Sequence, residues 1–168
     1  MRQLIKDLFD LLVEQKAALE SLISLSYEER HAIITNESEK LEEIVRKELR
    51  EISRLGAAEK KRAALNPAIC DELGIPDTGV TVSAIASSAM PDEREALKKL
   101  QTELMQLIDS HTSLNLENRE LIKEHLEYTE SVLELMMDTE DPLNNFYGGD
   151  GKTVQEKKRS TGFFDKQA

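Results

Sequence analysis

The chain has 168 residues, with 33 Asp and Glu against 22 Lys and Arg, a formal net charge of −11. Charged residues make up 33% of it and aromatics 4%, Trp is absent, and Gly 7 and Pro 4 are both few. That mix favours long helices and excludes a β-sandwich or barrel, while the acid excess opposes binding to nucleic acid or to anionic membrane surfaces.

The first helix is expected over residues 2–25. Leu4, Leu8, Leu11, Ala18, Leu22 and Leu25 recur at spacings of three and four, with Gln15 the polar member, and Ile5, Leu12 and Leu19 widen the stripe. This is an amphipathic helix. Ser26 reads as an N-cap with Glu29 as its capping-box partner, opening a short helix from Tyr27 to Ile34.

A second helix is expected over about 37–65, with Asn36 as N-cap and Glu39 as its reciprocal partner. Leu41, Ile44, Val45, Leu49, Ile52 and Leu55 form its buried stripe. Asn66-Pro67 should end it, because proline disfavours a helical residue before it. Residues 66–90 then read as a connector: turns at Leu73-Gly74-Ile75-Pro76 and Asp77-Thr78-Gly79, and a short helix within 81–90 capped by Thr81 or Ser83.

The third long helix carries the strongest pattern. Pro91 suits a first helical turn, and Asp92 and Glu93 suit its positive dipole end. Leu97, Leu100, Leu104, Leu107, His111, Leu114, Asn118, Leu121, His125, Tyr128, Val132 and Leu135 follow with three–four spacing, and Ile108, Ile122 and Met136 add a third column. A helix over 91–138 is roughly 70 Å long. It cannot bury its face in a compact domain, so other helices or a second molecule must lie along it. The fold expected is all-α: an elongated antiparallel helical bundle or coiled coil of three long helices with short connector helices. Residues 1–138 form the bundle domain and 139–168 a flexible C-terminal tail. That tail holds four of the seven glycines and, in Phe146, Tyr147, Phe163 and Phe164, four of the seven aromatics. It is neutral, so the body carries the whole −11.

Little in the chain suggests chemistry. Glu28-Glu29-Arg30-His31 matches one half of a di-metal carboxylate site, but neither His111 nor His125 has a Glu three residues before it, so no metal is expected. Gly151-Lys152-Thr153 resembles the end of a phosphate-binding loop, yet Phe146 stands where the first glycine is needed. Cys70 has no second cysteine to bridge with and no CxxC partner. No enzyme and no cofactor are expected. Asp7 interrupts the N-terminal apolar residues, so they do not read as a signal peptide, and no run is long enough to span a bilayer. A reduced cytoplasmic protein without membrane insertion is the expectation. His111, Asn118 and His125 share one heptad position in successive heptads. They serve either as register-setting polar residues inside a coiled coil or as rungs of a groove open to a partner helix.

A set of segments stands out along the chain: Leu25-Ser26-Tyr27-Glu28-Glu29-Arg30-His31-Ala32-Ile33-Ile34 with Asn36, and Leu41-Glu42-Glu43-Ile44-Val45-Arg46-Lys47-Glu48 with Glu59-Lys60-Lys61-Arg62. Leu114-Asn115, Asn118, Leu121-Ile122, Leu126 and Tyr128 continue the set, and Tyr147-Gly148 and Phe163-Phe164-Asp165-Lys166-Gln167-Ala168 complete it. The resemblance these segments carry is to the FlgN family of flagellar export chaperones. It implies a cytoplasmic chaperone that binds the C-terminal amphipathic helix of hook–filament junction proteins. It would keep them from polymerising and deliver them to the flagellar export apparatus. Asn118, Leu121, Ile122, His125, Tyr128, Val132 and Leu135 are the candidate contacts, with Phe163 and Phe164 as a mobile lid or further contact. Ordinary bundle core is the alternative for any one of these leucines. A homodimer is possible when no client is bound. The alternative function is a structural coiled-coil protein that dimerises with itself through this last long helix.

Overall fold

The computed structural model describes residues 2–74 and 81–138. The chain divides into two units, Met1–Glu127 and Tyr128–Ala168. The described residues form four helices and no strand: α1 (Arg2–Ile34), α2 (Ser38–Leu73), α3 (Val82–Ser88) and α4 (Pro91–Asp138). The fold is all-α, as its composition requires.

α1 runs past the break expected at Ser26. That residue is fully buried, and its hydroxyl donates to the Leu22 carbonyl one turn back at 3.0 Å. A serine so bonded is content inside a helix, and Ala32 and Ile33 beyond it are buried as well. The helix ends instead at Asn36, which takes a left-handed φ of 54°. The N–H groups of Asn36 and Glu37 donate back to the carbonyls of Ile33 and Ala32, at 3.2 and 2.9 Å. These two bonds make a Schellman closure, in which asparagine tolerates the left-handed position. Asn36 therefore stops α1 rather than capping α2, whose N-cap is Glu37 without a side-chain cap bond.

α2 also outruns its expected stop. It continues through Pro67 to Leu73 and closes on Gly74, with a φ of 65°. Proline removes one hydrogen bond from the ladder, here on an exposed face. The buried Ile69 and Cys70 hold the final turn against the core. Residues 66–73 are thus helix rather than connector. In α3 the Thr81 hydroxyl accepts from the Ala84 N–H at 3.1 Å, as its capping role predicts. The Arg94 guanidinium donates to the carbonyls of Ala86 and Ser87, joining the end of α3 to the start of α4.

Within the first unit the three long helices run up, down and up. The start of α1, at Ile5, Leu8 and Leu12, shares a core with Ile69 near the end of α2, and its later residues Leu25 and Ala32 pack with Ile44 and Leu41 near the start, so these two helices are antiparallel; Gln15–Glu59 and Glu14–Arg54 join them between. Contacts from α1 to α4 keep nearly constant sequence separations of 87, 89 and 88: Lys16–Glu103, Ser26–Asn115 and Arg30–Asn118. The first and last long helices are therefore parallel.

The core is unevenly divided. Its larger part joins Ile5, Leu8, Leu12 and Leu19 to Ile69, Ile85, Ala86, Leu97, Leu100 and Leu104. The smaller part is Leu25, Ala32 and Ile44, with Leu41 against it. Half of the stripe expected to be buried on α2 is outside: Ile44 is buried and Leu41 and Leu55 are half-buried, whereas Val45, Leu49 and Ile52 are exposed. A three–four apolar repeat fixes which face a helix can bury, but the length and number of its neighbours decide how much it does bury.

Candidate functional site

The site is best built outward from the buried end of the α4 stripe. Leu97, Leu100, Leu104 and Leu114 are buried, and Asn118 is the last buried member of the stripe, at 2% exposure. Its amide nitrogen donates to the Ser26 carbonyl and to Glu29 Oε2, both at 2.7 Å. Its oxygen accepts from Arg30 Nε at 3.2 Å. Arg30 also pairs with Glu117, and that contact holds the Glu117 carboxyl below the usual range. Buried polar atoms need such partners, and α1 supplies all of Asn118's. Of the two readings of the polar rungs, this residue takes the register-setting one. As a candidate contact it faces α1 and not an open groove.

His111 is half-buried one heptad earlier, near Asn115 Nδ2 at 3.4 Å. Burial lowers its pKa, against an opposing effect of Glu29. Glu48 of α2 shares this region. Burial first, and then the Glu29 charge, push its carboxyl up to about 7. Neither its burial nor the nearness of Glu29 on α1 is visible in the local spacing of α2.

Beyond Asn118 the stripe opens. Leu121 and His125 are half-buried, while Ile122 and Leu126 are exposed. Arg30, Leu116, Glu117, Glu120, Leu121 and Glu124 line a depression of about 500 Å³. Its floor is apolar and its rim mainly acidic. In the second unit Tyr128 is 72% and Leu135 67% exposed; Leu133, Met136 and Met137 are also exposed and Val132 is half-buried. Phe163 and Phe164 lie outside the described residues, as does the tail. The whole of α4 has twelve acids against five bases. α2, by contrast, has eight of each.

Sequence reasoning missed Leu116 and the acids around it, since Leu116 falls off the three–four stripe. It also missed Leu133, and it left Leu126, which carries part of the resemblance, out of the candidate contacts; both are exposed. Among the described residues no group of three or more His, Cys, Asp or Glu is placed to hold a metal. No described helix is long and apolar enough to cross a membrane.

The described residues form an acidic helical bundle whose last helix leaves large apolar side chains exposed, the kind of surface through which proteins commonly bind one another. The match to a family model described as FlgN protein extends over residues 1–155, and the chain belongs to that family. It is accordingly a chaperone of flagellar assembly and export, of a family that binds hook-associated proteins and is not known for enzymatic activity. Comparison with curated proteins and with solved structures gives no match.

Proposed function

We propose that this chaperone acts in the cytoplasm and holds the C-terminal amphipathic helix of a hook–filament junction protein. It keeps that client from premature polymerisation and delivers it to the flagellar export apparatus. The supporting observation is the outward apolar run on α4. Leu121, Ile122 and His125 in the first unit, and Tyr128, Val132 and Leu135 in the second, recur at helical spacing and are half-buried or exposed. An amphipathic helix is read by such i, i+3, i+4, i+7 anchors.

Asn118 contributes by fixing α4 against α1, which sets the position of Leu121 and Ile122 just beyond it. Phe163 and Phe164 add apolar contacts from the tail, either as a lid over the empty face or on the client. Self-pairing through α4 is the weaker reading. Its twelve acids and five bases would set two strongly negative helices side by side, and like charges across an interface oppose association.

The test is a titration of the full chain with a labelled peptide of a junction protein's C-terminal helix. Tyr128→Ala and Leu135→Ala should each weaken binding about tenfold, the share of a moderate hot spot, without changing the melting temperature. Removing 139–168 should also weaken it. Unchanged affinity in all three variants would refute the assignment.

A further inference from the structure

The seam between α1 and α4 has two sides, and at the level of Arg30 one of them has no neighbouring helix among the described residues. α2 covers the other side, where Leu25 and Ala32 pack with Ile44. On the open side Tyr27 and Ile34 stand three residues before and four residues after Arg30, so the three share one face of α1. Tyr27 and Ile34 are each 57% exposed, and Leu116 across the seam is 59% exposed. Between these banks lies the depression of about 500 Å³ that Arg30, Leu116 and Leu121 help to line. Apolar side chains on both banks of an interhelical seam make a seat for a further helix.

The charges on the rim say what that helix carries. Arg30 is the only base among the described residues that line the depression, and it is already engaged: its guanidinium pairs with Glu117 and donates to Asn118. Glu120 and Glu124 line it too, are exposed, and form no ion pair among the described residues. They stand four residues apart, hence about 6 Å along one face. The unanswered charge is thus a pair of carboxylates beside an apolar floor. A partner with acids there is repelled, and one with bases one turn apart answers both.

We infer that the client helix carries two basic residues one turn apart at an edge of its apolar stripe, and that it lies in the open α1–α4 seam with its apolar side on Leu116 and Leu121 and those two bases on Glu120 and Glu124. The inference rests on the α4 client surface proposed above. It adds the charge pattern of the client and a contribution from α1 through Tyr27 and Ile34. Glu120 and Glu124 then act as specificity-determining residues. Exposed ion pairs add little affinity each, but a client with the wrong sign at both positions is penalised twice.

Three versions of a junction protein's C-terminal helix peptide test it, alike in apolar stripe but with Lys, Gln or Glu at two positions one turn apart, placed on each edge of the stripe in turn. For one edge the full chain should bind Lys best, then Gln, then Glu, with about tenfold between the extremes at low salt. The spread should collapse in about 1 M NaCl. Glu120→Lys/Glu124→Lys should invert the order, and Tyr27→Ala should weaken all three versions. Melting temperatures should stay unchanged, because these side chains are exposed. Equal affinities on both edges overturn the inference. So does an order that survives the double charge reversal, or a Tyr27→Ala chain that binds as the parent does. If no version binds, or Tyr128→Ala leaves all three unchanged, the client surface on α4 falls and this inference with it. If Tyr128→Ala weakens them while the double reversal leaves the order intact, the charge pattern alone falls.

Discussion

Asn118 donates its side-chain amide to the backbone carbonyl of Ser26 at 2.7 Å, tying α4 to a fully buried point of α1. The same amide reaches Glu29, and Arg30 donates to the Asn118 oxygen, so one residue satisfies three groups of the opposing helix. Asn118→Ala leaves the Ser26 carbonyl buried without this donor. The expected cost is roughly 1–3 kcal/mol of unfolding free energy, read by urea or thermal denaturation. Asn118→Asp should cost more at neutral pH than at pH 4, because it sets a carboxylate beside Glu29.

The Glu48 carboxyl is raised to about 7 from an ordinary 4.5, by burial and by Glu29. Between those two values the folded chain holds a proton that the unfolded chain has released. Stability from this group is therefore present at low pH and declines as pH rises from about 4.5 through about 7. Glu48→Gln should remove that decline and be more stable than the parent at pH 8. Melting temperatures of the two proteins across pH 5–8 check the sign; parallel curves would contradict it.

The two described glycines should respond to alanine in opposite directions. Gly56 lies inside α2 with nothing within 4 Å of an added Cβ. Alanine there removes the entropic penalty of a helical glycine and should stabilise by about 0.5–1 kcal/mol. Gly74 is equally open but holds a φ of 65°. Alanine there costs on the order of 1 kcal/mol of backbone strain. Denaturation midpoints of the two variants distinguish the cases.

Burial separates the structural leucines of α4 from the exposed ones. Leu97 is fully buried in the larger core, and Leu97→Ala should cost about 2–5 kcal/mol through the cavity it leaves. Leu135 is 67% exposed, and Leu135→Ala should leave stability nearly unchanged. Thermal melts of the two variants make the comparison.

The span of α4 was legible in the sequence. Pro91, Asp92 and Glu93 mark its start, and an unbroken three–four repeat carries it to Asp138. The start of α1 and the Thr81 cap of α3 were legible too, whereas the signals at Ser26, Asn36 and Pro67 misled, because short-range signals have two uses. Asn36 is as suited to a left-handed helix stop as to a helix start, and Ser26 bonds to its own preceding turn when buried. Pro67 breaks a helix only where packing does not hold the turns beyond it, and Ile69 and Cys70 do hold them. The candidate α4 stripe was legible as a pattern of residue types. Its division at Asn118 into a covered and an open part was not, nor was the outward turn of Val45, Leu49 and Ile52. Both depend on which helices reach a given level of the bundle, and no local spacing records that.

Hydrogen exchange of the full chain, with and without a junction protein's C-terminal helix peptide, tests the central claim most directly. The account predicts that client-dependent protection concentrates on α4 amides from about Asn118 to Leu135, while those of α2 around Leu49 keep their rates. Protection centred on α2, or none on α4 at saturating peptide, would contradict it.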